Sequence, residues 1–187
     1  MVSVQNLTIK MATWNPMHLS VHTCRAEEVS RNFSQIQLMG LIGTGSKEWT
    51  DVGHHRKKLE HHVLISFGYN NGKHSNKSAG CALLVGRPFA EKHFHSIVAP
   101  TLQSGLRGRA GAVTIKYGSV RIRLILAYFP PRPWDSKQEP PWRATCKALR
   151  KWVFQQWDQA KERETPFIMT DLNSQLEHTM RTYERMR

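Results

Sequence analysis

The sequence predicts an α/β sandwich, and three observations carry that expectation. Several short runs alternate apolar and polar residues with the period of a strand, the segment 142–160 repeats its apolar residues at helical spacing, and hairpins are mixed with helical crossovers. At 187 residues, 40% hydrophobic and 9% aromatic, the chain can bury a core as a single domain, 1–187. Charged residues make up 22% and no low-complexity tract is present, which excludes a disordered or fibrous class.

Taken in order, Leu7, Ile9, Met11 and Thr13 alternate with Thr8, Lys10, Ala12 and Trp14. Asn15-Pro16 ends this strand and leaves Asn15 at its edge. Ala26, Val29, Phe33, Ile36 and Gly40 follow helical spacing, with Glu27 and Glu28 placed to complement a helix N-terminus, and 38–42 reads as a buried strand. The stretch 43–76 is rich in Gly, His, Lys and Asn and reads as exposed loop around one short strand at Val63-Leu64-Ile65. Strands follow at 81–85, 112–117 and 120–128, the last two joined at Gly118-Ser119, with Val120, Ile122, Leu124 and Leu126 facing one way. Pro130, Pro131, Pro133, Pro140 and Pro141 mark an irregular connection. Beyond it Trp142, Cys146, Leu149, Val153, Gln156, Trp157 and Ala160 form one face of a long helix, opposite Lys147, Arg150, Lys151 and Asp158. Thr165-Pro166 stops the helix, and 167–170 is a short strand running into Asp171-Leu172-Asn173.

The charge balance points to a polyanion. Lys and Arg number 27 against 14 Asp and Glu, a formal +13 with ten His counted neutral, and nucleic acid is the partner such a surface most often serves, DNA before RNA. No run reaches the length of a membrane span and the start lacks the apolar core of a secretory signal, so the expected location is intracellular, nuclear or cytoplasmic, with no membrane partner. Cys24, Cys81 and Cys146 are odd in number and lack C-x-x-C spacing, which reads as buried thiols rather than a disulfide framework or zinc site.

Polar groups stand at three strand ends: Asn15, Tyr128, and Asp171 with Asn173. One Asp and two Asn supply the oxygen donors that Mg²⁺ prefers, together with amide N–H groups that can donate to a phosphate, a set suited to metal-assisted phosphodiester hydrolysis. The motifs Thr13-Trp14-Asn15, GRAGAVTIKYGSVRIRLILAYFPP and PFIMTDLNS, in that order, resemble the endonuclease/exonuclease/phosphatase superfamily in its apurinic-type and non-LTR retrotransposon form. The resemblance implies a four-layer α/β sandwich and Mg²⁺, or Mn²⁺, as cofactor. It implies that Asn15 places metal and phosphate, Tyr128 contacts the phosphate, Asp171 is the acid–base or nucleophile-orienting carboxylate, and Asn173 positions the phosphate.

Two departures temper that expectation. The family's metal-binding Glu follows the second strand, where this chain has Gly43; Glu48 lies five residues further on, as a loop residue beside Lys47. The family's closing Ser-Asp-His motif is not found before Arg187, and His178 is too near Asp171 to replace it, so the resemblance implies a domain lacking its C-terminal strands. A positioned acid–base group contributes about 10²–10⁴-fold, so hydrolysis is expected to be weak or absent. A non-catalytic nucleic-acid-binding module is the alternative, and a phosphatase acting on small phosphoesters fits the strong positive charge less well.

Arg107, Arg109 and Arg132, near the matched hairpin, are the expected nucleic-acid contacts. His54-His55 and His61-His62, seven apart, would share a face if helical, although the intervening Arg56-Lys57-Lys58 repels a cation and favours a basic loop meeting phosphates. His93 and His95 flank Phe94 as surface positions of a strand. Trp134 and Trp142 are candidates for stacking on bases, whereas Trp152 and Trp157 read as core.

Overall fold

The computed structural model of the chain describes residues 8–16, 23–45, 53–68, 80–101, 106–160 and 162–171, without the side chains of residues 23 and 24. A first sheet combines β1 (Met11–Trp14), β2 (Leu38–Ile42), β3 (His55–Lys58), β4 (His62–Phe67) and β5 (Cys81–Gly86) in the order β1-β2-β5-β4-β3. A second sheet runs β6 (Phe94–Val98), β7 (Ala110–Tyr117), β8 (Val120–Tyr128) and β9 (Thr165–Asp171) in sequence. Helix α1 (Thr23–Asn32) crosses from β1 to its parallel neighbour β2, α2 (Arg87–His93) leads into β6, and α3 (Glu139–Ala160) carries the parallel crossover from β8 to β9.

Alternation along each strand sorts side chains into three apolar layers. Leu38, Ile42, Phe67, Leu83, Val113, Leu124, Leu126 and Met169 fill the space between the sheets. Met39, Leu41 and Leu84 face outward under α1, with Val29 of that helix. Ala112, Ile125 and Ala127 face outward under α3, against Cys146, Leu149 and Val153. Helix, sheet, sheet, helix is the four-layer arrangement expected, and the predicted apolar face of α3 is the face that packs.

Two glycines set how closely the sheets meet. A Cβ on Gly40 would lie 2.7 Å from Met169 Sδ, and one on Gly111 would lie 2.4 Å from three carbons of the Phe67 ring. Gly40 therefore seats β9 against β2. The predicted hairpin turn is present, with Gly118 at φ +59°.

Several expectations need correction. The helical spacing from Ala26 to Gly40 overran, since α1 ends at Asn32; Phe33 and Ile36 still pack on the α1 layer from the turn that follows. The segment expected to be loop around one strand contains a paired hairpin of β3 and β4, with Ile65 and Phe67 fully buried. Its first strand, His-Arg-Lys-Lys, lies at the sheet edge, where charge discourages further pairing and leaves no apolar period to read. The two His pairs consequently sit on opposite arms of a hairpin, not on a helix face, and His62 is buried and hydrogen-bonded. Helix α2 was not expected; Pro88 in its first turn is its one sequence signal. It makes His93 a helix-terminal residue, its ring 4.3 Å from that of Tyr117. Pro166 lies inside β9, which is tolerated because β9 is the outermost strand of its sheet among the described residues. Val120 is exposed, unlike Ile122, Leu124 and Leu126. Cys81 and Cys146 are buried thiols as expected.

Candidate active site

Strand direction and register gather the predicted residues on one rim. In the first sheet β1 and β2 end there, while β5 begins there with Cys81, opposite Phe67 at the end of β4. In the second sheet β8 and β9 end together, Tyr128 beside Asp171, next to the start of β7 at Ala110. Parity then aims the side chains. Ile9 and Met11 face the inter-sheet layer, so Asn15 falls on that side; Met169 faces it too, so Asp171 does likewise.

The two residues meet: Asn15 Nδ2 donates to Asp171 Oδ2 at 2.6 Å, across 156 residues of sequence. Opposite a carboxylate oxygen the amide nitrogen is the atom that can donate. The backbone is tied as well, because Phe129 N–H donates to the Asp171 carbonyl at 3.1 Å. Tyr128 stands in register with Asp171 but buries its ring in the inter-sheet layer, with 3% exposed. Asn173 and Glu48 lie outside the described residues, as does His178.

Arg109 belongs to this rim. Its carbonyl accepts from Tyr128 N–H at 2.8 Å, and its guanidinium lies 5.7 Å from the Tyr128 ring centroid. Arg107, in the same turn, packs against Gly53, where a Cβ would lie 2.7 Å from Nη1; Gly53 has φ +81°, so no side chain competes for the space. Arg132 sits farther along the Pro-rich connection, where its Nη2 donates to Glu139 Oε1 at 3.0 Å. Arg143 donates to the same oxygen at 2.7 Å, and this hydrogen bond, ahead of the Arg132 charge, holds the Glu139 carboxyl below its usual range.

Cys81 is the one cysteine at the rim among the described side chains. Complete burial pushes its thiol up to about 12, against the opposing effect of Arg109, so it is not a nucleophile at neutral pH. Gly43 follows β2 at φ +82°, its N–H donating to the Gly80 carbonyl at 2.8 Å. It supplies backbone only at the position expected for the metal carboxylate. The oxygen donors present, the Asp171 carboxylate and the Asn15 amide, fit a hard cation that completes its shell with water and phosphate. No group of three His, Cys, Asp or Glu converges on a metal position among the described residues, and no described helix is long and apolar enough to cross a membrane.

Trp134 and Trp142, both proposed as base-stacking residues, part company. Trp142 donates its indole N–H to the Pro130 carbonyl at 2.9 Å and packs on the α3 layer, whereas Trp134 is wholly exposed. Sequence reading missed the Asn15–Asp171 contact itself, which depends on how two sheets are stacked.

No family model and no curated sequence matches the chain. Solved structures do. The AP endonuclease LMAP from Leishmania major aligns at TM-score 0.64 and 15% identity, over 88% of this chain and 55% of its own. The 3'-5' exonuclease NExo from Neisseria meningitidis aligns at TM-score 0.56 and 15% identity, over 88% of this chain and 58% of its own. A humanized D. rerio TDP2 aligns at TM-score 0.55 and 9% identity, over 93% and 70%. The chain thus spans little more than half the length of the first two. With its two sheets between helices and these alignments, the chain has the α/β sandwich fold of the endonuclease/exonuclease/phosphatase type.

Proposed function

We propose that this chain binds DNA at the Asn15–Asp171 rim and hydrolyses its phosphodiesters slowly, with a divalent cation. The observation that carries the reading is the 2.6 Å contact between two polar strand ends 156 residues apart. Binding and catalytic groups are disproportionately found where loops leave a rigid scaffold, and both residues stand at such strand ends. A Mg²⁺ or Mn²⁺ ion held by Asn15 and Asp171 would supply Lewis-acid stabilisation of the phosphate. Asp171 would orient the attacking water and take its proton, Asn15 would hold the carboxylate in place, and Arg107 and Arg109 would draw in the backbone. Gly43 in place of a carboxylate keeps turnover low. The order of the three motifs supports the apurinic-like, non-LTR retrotransposon type, acting as one domain over 1–187.

Nicking of supercoiled DNA that requires added Mg²⁺ and falls about 10²–10⁴-fold in Asp171→Ala is the expected result. Nicking that survives Asp171→Ala would refute the assignment. Gly43 favours a second reading, a binding module without catalysis: tight, strongly salt-dependent DNA binding without nicking at any Mg²⁺ or Mn²⁺ concentration would establish it.

A further inference from the structure

Trp134 is 105% exposed, the most exposed large apolar side chain among the described residues. Trp is enriched at interfaces, where its large apolar ring and one N–H can both be used. Its backbone is restrained on both sides. Pro131 and Pro133 restrict the backbone on its N-terminal side, Asp135 caps the following turn by accepting from Lys137 N–H at 2.9 Å, and Arg132 and Arg143 converge on Glu139. The anchor at the other end is the site: Phe129, five residues earlier, bonds Asp171. Five residues span at most about 18 Å between Cα atoms, so the Trp134 backbone stays within that reach of the residue that bonds the Asp171 carbonyl.

The chemistry that fits a fully exposed indole beside cations and a phosphate site is a nucleobase face, and in a paired stack that face is covered. We infer that Trp134 stacks on an unpaired base next to the bound phosphate, which makes single-stranded or locally unpaired DNA the preferred ligand. This rests on the reading of the rim as a DNA phosphate site. It goes further by naming the form of DNA and the side chain that selects it.

The test measures binding of a fluorescein-labelled twelve-nucleotide dT strand and of a blunt twelve-base-pair duplex in Ca²⁺, by anisotropy, for the full chain and for Trp134→Ala and Trp134→Phe. Stacking predicts a loss of about 5- to 150-fold for the single strand in Trp134→Ala, duplex affinity within about twofold of wild type, and near-complete recovery in Trp134→Phe. Equal losses on both ligands, or none on either, overturn the inference and leave the phosphate site standing. Failure of the wild-type chain to bind either ligand overturns both. Trp134 supports no packing, so circular dichroism of the variants should match wild type; a variant that loses its fold would refute the premise that the ring is free.

Discussion

His62 shows how completely one side chain can be committed. It is fully buried, its Nε2 lies 2.9 Å from the Ile36 carbonyl, and its Nδ1 lies 3.0 Å from Ser30 Oγ, which also accepts from His61 N–H. A carbonyl only accepts, so the proton sits on Nε2 and the neutral ring satisfies every partner. Burial lowers its pKa below the ordinary 6.5, against the weaker pull of the Ile36 bond. As pH falls through 6.5 the unfolded chain takes up the proton first, so the stabilisation is full above that pH and is lost below it. Urea unfolding at pH 7.5 and 5.5 should show this decline, and His62→Gln should flatten it. Gly111 is the second case. Gly111→Ala drives a methyl into the Phe67 ring, an overpacking expected to cost about 1–3 kcal/mol, and Phe67→Leu in the same chain should recover part of the loss. Gly43→Glu, which would place a carboxylate where the sequence resemblance expects one, must adopt φ +82° at roughly 1–2 kcal/mol, so a lower Tm without efficient cleavage is expected.

The elements that place Asp171 are fastened at their far end. Arg123, on the outer face of β8, donates to Glu164 Oε2 at 2.6 Å and to Gln156 of α3 at 3.1 Å, while Thr114 Oγ1 lies 3.3 Å from the same Glu164 oxygen. The ion-pair side chains are only 13% and 8% exposed. Glu164 immediately precedes β9, so the network fixes where that strand enters. Glu164→Ala leaves a cation half-stranded under α3 and should cost about 3 kcal/mol in urea unfolding; adding Arg123→Met should return much of it. Legibility differs among elements for physical reasons. The α3 face and the β7–β8 hairpin are legible because an apolar period of 3.6 or 2 repeats long enough to rise above chance. Strand β3 is not, because an edge strand of His55-Arg56-Lys57-Lys58 has its charges where the period would be, and α2 is only seven residues long. Asn15 and Asp171 are visible as polar residues ending apolar strands. Their pairing is not, since register between stacked sheets leaves no local pattern.

At the scale of the molecule the +13 charge and the single rim act together. DNA affinity should fall steeply with salt, and Arg107→Ala should reduce the slope of log K against log salt by about 0.7–0.9. An unchanged slope would remove Arg107 from the contact. Arg132 is engaged with Glu139 in an exposed pair that salt weakens, so its replacement should alter the slope less.

The Asn15–Asp171 hydrogen bond joins the first described strand to the last. Contacts this distant in sequence form late, after the costly closure of a long loop. During synthesis the first sheet can assemble while β9 is still being made, and until β9 emerges Asn15 has no carboxylate to hold. Competence at the rim thus waits on β9, and a refolding reaction followed by DNA binding should lag one followed by far-ultraviolet circular dichroism.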